Sequence, residues 1–152
     1  MSKPKIVITT YLASTPDKVW KALTDPEITQ RYWFGTRFES DWKVGSRIIW
    51  RRNGKITDEQ VLLKSEPSRV LSYTFHPVFS EEYRSEPPSK VTLELEAGAG
   101  GEVMRLTMTH DEFPEDSAVY RACSGGWPQI LSSLKTLLET GKPLPEFRSA
   151  PE

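Results

Sequence analysis

Two histidines, one cysteine and a set of aromatic residues are the side chains whose types could do chemistry or hold a ligand. His110 falls on the same side of a strand-like run as Met108, which suits either the polar hook of an apolar pocket or a general base within reach of a bound molecule. The plainer expectation is a strand-end histidine near solvent. His76 precedes Pro77 and reads as loop-facing. Two histidines with no cysteine near them, in no ligand spacing, do not make a zinc site. Asp111-Glu112 and Glu115-Asp116 lack the spacing of a calcium loop; they read instead as acids favouring the N-terminal end of the last helical region through its dipole. Cys123 would need a neighbouring base and a lowered pKa to act as a nucleophile, and reads as a lone buried thiol. There is no Gly-x-Ser-x-Gly elbow. Gly98, Gly100 and Gly101 precede a strand rather than a helix, so they do not cradle a phosphate. No catalytic residue, no metal ligand and no cofactor is therefore assigned.

The aromatics carry more information. Trp33, Trp50, Tyr73, Phe75 and Trp127 all lie on segments expected to meet between a sheet and a helix. They are either a packed core or the wall of a cavity, since ligand pockets are mostly apolar and aromatic with a few placed polar groups. A ligand-sized void costs several kcal/mol at roughly 24 cal/mol per Å³, so a void that exists needs a functional reason. The candidate ligand-binding residues are Trp33, Trp50, Tyr73, Phe75, Leu93, Met108, His110, Trp127, Leu131 and Leu134. Arg47 and Arg51 alternate away from Trp50 and read as solvated surface.

The elements that must position these residues follow from periodicity. Ile6 to Leu12 is β-branched and aromatic, a strand. Thr15 caps a helix that opens with Pro16, and Asp25-Pro26 repeats the device for a second short helix to Tyr32. From Thr36 the period becomes two: a strand at Arg37 to Glu39, a turn at Trp42 to Gly45, and a strand at Ser46 to Arg52 with Ile48 and Trp50 on one face. Asn53-Gly54 is a hairpin signal. Strands follow at Lys55 to Lys64 and Arg69 to Phe75. His76 to Pro88 reads as a polar loop bearing Phe79 and Tyr83. Lys90 to Glu96 and Val103 to His110 pair around the glycine-rich turn. One apolar and one polar face indicate an antiparallel sheet covered on one side. Trp127, Ile130, Leu131, Leu134, Leu137 and Leu138 form a helical core stripe, stopped by Gly141 and Pro143. Pro128, behind Gly125-Gly126, predicts a break or kink, with a separate turn or two at Ser117 to Ala122.

The chain has 152 residues, 37% hydrophobic and 27% charged, enough for one globular domain over residues 1–152, with its core at about 6–144 and a loose tail at 145–152. A net charge of −1 and no basic cluster argue against nucleic acid. A single cysteine favours a reducing compartment, and no stretch approaches the roughly 20 apolar residues of a membrane span. The N-terminus lacks the apolar segment of a signal peptide. The expected location is the cytoplasm.

The order strand, two short helices, long antiparallel sheet and long C-terminal helix is the helix-grip topology, an α+β class in which the curved sheet wraps the last helix. Ser14-Thr15-Pro16-Asp17-Lys18-Val19-Trp20-Lys21-Ala22-Leu23-Thr24-Asp25-Pro26 resembles the opening of the activator-of-heat-shock-protein-ATPase homologue family. That family is a branch of the START-like (SRPBCC) superfamily, which includes lipid-transfer domains, plant pollen allergens and polyketide cyclases. Trp33, Val44-Gly45, Arg69 to Phe75, Leu106-Thr107 and Gly126-Trp127 through Leu138-Glu139 are similar to its later landmarks. The resemblance implies a pocket between sheet and long helix rather than a shared reaction, and a fold by itself does not dictate function. The leading expectation is a binding or carrier domain for an aromatic or lipid-like small molecule, as a monomer or homodimer. The alternatives are a co-chaperone-like module with a chaperone as partner, and a cyclase, hydratase or hydrolase using the same cavity, for which His110, Tyr73 and Tyr120 are the candidate polar groups.

Overall fold

The computed structural model describes residues 4–147. Its elements are β1 (Ile6–Leu12), α1 (Pro16–Thr24), α2 (Pro26–Tyr32), β2 (Thr36–Glu39), β3 (Arg47–Arg52), β4 (Lys55–Glu66), β5 (Val70–Phe75), α3 (Glu81–Arg84), β6 (Ser89–Ala97), β7 (Met104–Asp111) and α4 (Ala118–Thr140), followed by a 3₁₀ turn at Pro145–Phe147. The strands form one antiparallel seven-stranded sheet in the order β1-β7-β6-β5-β4-β3-β2. Only β1 departs from a simple meander: it pairs with β7, so α1 and α2 carry the chain from one sheet edge to the other. The sheet curves around α4, the helix-grip arrangement.

Local chemistry accounts for the joints. Thr15 Oγ1 accepts the amide of Lys18, and Asp25 Oδ1 accepts that of Glu27, each followed by proline at the first helical position. Asn53 and Gly54 both hold positive φ, 53° and 79°, as a two-residue turn between β3 and β4 requires. Gly141 ends α4 in the left-handed conformation, its amide bonded to the Leu137 carbonyl.

The core lies between the concave face and α4. Val91, Leu93 and Leu95 on β6 and Met104, Leu106 and Met108 on β7 point inward, against Trp127, Ile130, Leu131, Leu134 and Leu137 of the helix, all buried. Leu138, expected in the stripe, is half-buried at its edge. Near its C-terminal end α4 is tied to β1: Lys135 Nζ donates to the Tyr11 carbonyl at 2.6 Å and Glu139 accepts the Ala13 amide at 2.7 Å.

Four expectations are corrected. The break at Pro128 is absent, for α4 runs continuously from Ala118 to Thr140. Pro128 faces solvent, where the missing N–H leaves the Ser124 carbonyl open to water, and the burial of Trp127, Ile130 and Leu131 beside it offsets a penalty of about 3 kcal/mol. The loop at 76–88 contains the short helix α3, capped by Ser80. Asp116 directly precedes the N-cap and pairs with Arg121 as an acid at that end, but the acid that meets the free amides of α4 is none of Asp111, Glu112, Glu115 or Asp116. It is Glu86, whose carboxylate accepts Ser117 Oγ at 2.6 Å and the Ala118 amide at 2.7 Å. Of the tail expected to be loose, Pro145–Phe147 is a 3₁₀ turn with Phe147 buried against Phe34 at 4.6 Å between ring centroids; the remainder lies outside the described residues. Among the described residues no helix is long and apolar enough to cross a membrane.

Candidate functional site

Between the β3–β4–β5 end of the sheet and the first half of α4 the packing leaves a cavity of about 180 Å³. Trp50 of β3, Phe75 of β5, Trp33 after α2 and Trp127 of α4 form its aromatic wall. The rings contact edge-on: Trp33 lies 5.0 Å from Trp50 and 5.3 Å from Trp127, and Trp50 lies 5.6 Å from Phe75. Phe38 stacks on the far face of Trp50 at 4.1 Å and holds its plane. Val119, Cys123, Gly126 and Ile130 supply the helix side. Phe79 and Tyr83, paired at 5.3 Å, stand beside the cavity, with Phe79 62% exposed, so they mark its mouth. Glu86 clamps the chain beyond that mouth onto the start of α4.

Two charged residues interrupt the apolar wall, Asp58 and Arg52. Asp58 is directly opposite Trp50 in the β3–β4 ladder, and a bulge puts it there: Trp50 pairs with Asp58 but Arg51 with Ile56, leaving Thr57 as the extra residue. Bulges commonly re-aim a side chain in this way. On its other side Asp58 bridges to Pro77. It is only 5% exposed, and burial raises its pKa to about 6, while Thr57, Gln60, Arg52 and His76 pull it partly back. Gln60 donates to Asp58 Oδ2 at 3.3 Å, its amide oriented by accepting the His76 backbone N–H at 2.6 Å. Arg52 is half-buried over the Phe34 ring and donates to Thr36 Oγ1. Its guanidinium makes no ion pair with Asp58. The indole Nε1 of Trp50 and the hydroxyl of Tyr73 are buried with no hydrogen-bond partner.

His110 sits behind this wall, fully buried rather than near solvent. Trp127 Nε1 donates to its Nδ1 at 2.9 Å, so the ring proton is on Nε2, which donates to Ser89 Oγ at 2.7 Å. Burial lowers the pKa of His110 to about 3, and an imidazole neutral at physiological pH with both nitrogens engaged orients Trp127. Burial also pushes the Cys123 thiol up to about 12, which keeps it un-ionised.

Of the ten residues picked from the sequence, the fold brings Trp33, Trp50, Phe75 and Trp127 together on the cavity surface. Tyr73 stands next to Trp50, 6.1 Å between rings. Leu93, Met108, Leu131 and Leu134 are packed core, and His110 backs Trp127. Sequence reasoning missed Asp58, Arg52, Phe79, Tyr83 and the helix face of Val119, Cys123 and Gly126. Arg52 had a legible signal, its two-residue spacing from Trp50 on the same strand face.

Comparison with known proteins places this architecture. A solved Mesorhizobium loti protein, MLL2253, superposes with a TM-score of 0.73 at 27% identity, covering 89% of this chain and 96% of its own. CalU16 from Micromonospora echinospora gives 0.72 at 26% identity, covering 94% of this chain and 78% of its own. The Aha1 dimer from Colwellia psychrerythraea gives 0.74 at 23% identity, covering 92% and 99%, a likeness of fold. No curated protein matches the sequence. The family model described as activator of Hsp90 ATPase homolog 1-like protein matches residues 13–139.

Proposed function

The chain belongs to the activator of Hsp90 ATPase homolog 1-like family, and from its cavity we propose that it is a binding or carrier domain for a small aromatic molecule held between sheet and C-terminal helix. The observation that carries this reading is an aromatic-walled space of about 180 Å³ that the side chains leave unfilled. An apolar void of roughly 150 Å³ is enough to hold benzene, whereas pockets for drug-sized ligands run from roughly 300 Å³. The enclosed part of the ligand is thus a single ring, and a longer molecule would extend past Phe79 and Tyr83. The aromatic wall, with Trp33, Trp50, Phe75 and Trp127 able to pack edge or face on a ring, favours the aromatic class over the lipid-like one. A reducing, cytoplasmic setting suits the sole cysteine, Cys123.

The test is a titration of the protein with toluene, monitoring tryptophan fluorescence and thermal stability together. Saturable quenching, accompanied by a stability gain of about 2.7 kcal/mol at a hundredfold excess over Kd, supports the reading. No response to toluene or to other single-ring ligands sinks it.

A second reading, the protein-interaction module, rests on β1. It is a sheet edge, and Val7 and Tyr11 are more than half exposed along it, a row of backbone groups and apolar side chains open to a partner. A change in a chaperone's ATPase rate on adding this protein, abolished by Val7→Lys with Tyr11→Lys, would favour it.

A further inference from the structure

The polar groups of the cavity define its ligand more narrowly than its volume does. Trp50 and Asp58 are direct cross-strand partners on the inward face, where opposite Cβ atoms stand roughly 5 Å apart. Both line the same space. Trp50 Nε1 is a buried donor with no acceptor. Asp58 is a buried acceptor that Gln60 reaches only at 3.3 Å and that Thr57 supports from the adjacent position. A buried donor left unpaired costs about 1–3 kcal/mol, and each further donor a buried carboxylate accepts favours its charged form. Packing does not relieve this pair, yet a single ligand atom that both donates and accepts would.

We propose that the ligand's ring carries a hydroxyl group, which donates its hydrogen to the Asp58 carboxylate and accepts the indole N–H of Trp50. This rests on the small-molecule reading above and narrows it to phenols. Bonding capacity selects the hydroxyl over charged groups. An ammonium has no lone pair to accept the Trp50 N–H, and an ionised carboxylate has no proton to donate to Asp58. A neutral hydroxyl does both. Hydrogen bonds to ionised groups are the stronger class, so the hydroxyl adds selectivity to what ring burial supplies.

The experiment compares phenol, toluene, benzylamine and benzoate by calorimetric titration against the full chain and three variants: Asp58→Leu, Asp58→Asn and Trp50→Phe. Phenol should bind the native protein about tenfold or more tighter than toluene. In Asp58→Leu that preference should vanish while toluene affinity holds or rises. In Trp50→Phe, and in Asp58→Asn, which keeps an acceptor but loses the charge, it should shrink. Should Asp58→Leu fail to fold, the other two variants carry the same comparison. Equal binding of toluene and phenol by the native protein overturns the hydroxyl assignment and leaves the cavity reading standing. So does a preference for benzylamine or benzoate. Binding of none of the four overturns both.

Discussion

Trp127 and His110 are joined by a 2.9 Å hydrogen bond from indole Nε1 to imidazole Nδ1, across the buried seam between α4 and β7. Ser89 closes the other side of the imidazole, and Ser89 Oγ in turn reaches the Phe75 carbonyl at 3.4 Å. Two cavity-wall aromatics, Trp127 and Phe75, are thus linked through one neutral histidine. Replacing His110 by Ala removes the acceptor and leaves a void. The expected cost is about 3 kcal/mol, combining an unpaired buried N–H with the lost packing. Urea unfolding measures it, and a shift in tryptophan emission should accompany it. A loss under about 0.5 kcal/mol would mean that the seam does not depend on this bond.

Acid stability should carry opposing signatures of His110 and Asp58. His110 titrates near 3 when folded and near 6.5 when unfolded, so from pH 6.5 downward the unfolded chain takes up the extra proton and stability falls. Asp58 titrates near 6 when folded and near 3.8 when unfolded. Between those values the folded chain takes up the extra proton, and stability rises as pH falls. The two slopes oppose each other from about pH 6 to 4, and the native protein should be nearly flat there before losing stability more acidic still. In Asp58→Asn the decline should begin at about pH 6.5 and approach about 1.4 kcal/mol per pH unit. A chemical-denaturation series from pH 7.5 to 3.5 on both proteins reads this directly; parallel curves would refute the assignment.

How far the sequence could be read depended on whether each pattern was local. Val91, Leu93 and Leu95 alternate with polar residues and mark β6 without ambiguity, and Thr15-Pro16 and Asp25-Pro26 mark both short helices because capping needs only neighbours in the chain. Trp50 could be turned inward from its alternation with Arg47, Ile49 and Arg51. Asp58 could not. Strand β4 has its apolar and polar faces partly exchanged: Asp58 and Gln60 are buried while Val61 and Leu63 are 37% and 41% exposed, and the bulge at Thr57 shifts the pairing besides. Such a strand reads as irregular until its partners are known. Glu86 at the α4 N-terminus was hidden for a related reason, because it reaches the helix from 31 residues away. At Pro128 the expected break is absent because the buried contacts of Trp127, Ile130 and Leu131 hold the helix through it, and those contacts are set by the tertiary fold.

Glu86 should be a stability determinant out of proportion to its loop position. It accepts Ser117 Oγ and two backbone amides, those of Ala118 and Val119, at the positive end of a 23-residue helix. Glu86→Ala should cost about 1–2 kcal/mol, the range for lost N-caps. Because the same contact ties the segment after α3 to the cavity mouth, amide exchange should accelerate in residues 117–120 and in residues 79–86 together. Acceleration confined to the helix would show that the mouth is held by other contacts.

Asp58→Asn should make the protein more stable at neutral pH. Above about pH 6 the native protein holds an ionised carboxylate that is only 5% exposed, supported by Gln60 at 3.3 Å and by Thr57 but by no ion pair. The rise from 3.8 to about 6 measures how strongly the folded environment disfavours that charge, at about 1.4 kcal/mol per unit. Asparagine keeps the shape and an acceptor for Gln60 Nε2 and removes the charge. The expected gain at pH 7 is about 1–3 kcal/mol, and it should shrink steadily as pH falls, to under about 1 kcal/mol by pH 4, where the folded aspartate is protonated and the unfolded one is beginning to be. Equilibrium unfolding at the two pH values gives the comparison. A gain at pH 7 that shrinks in acid would show that this position carries a charge the fold does not need, as expected of a group placed for a ligand at the expense of stability. A loss at pH 7 would instead make Asp58 a structural carboxylate, supported by its neighbours in the folded chain.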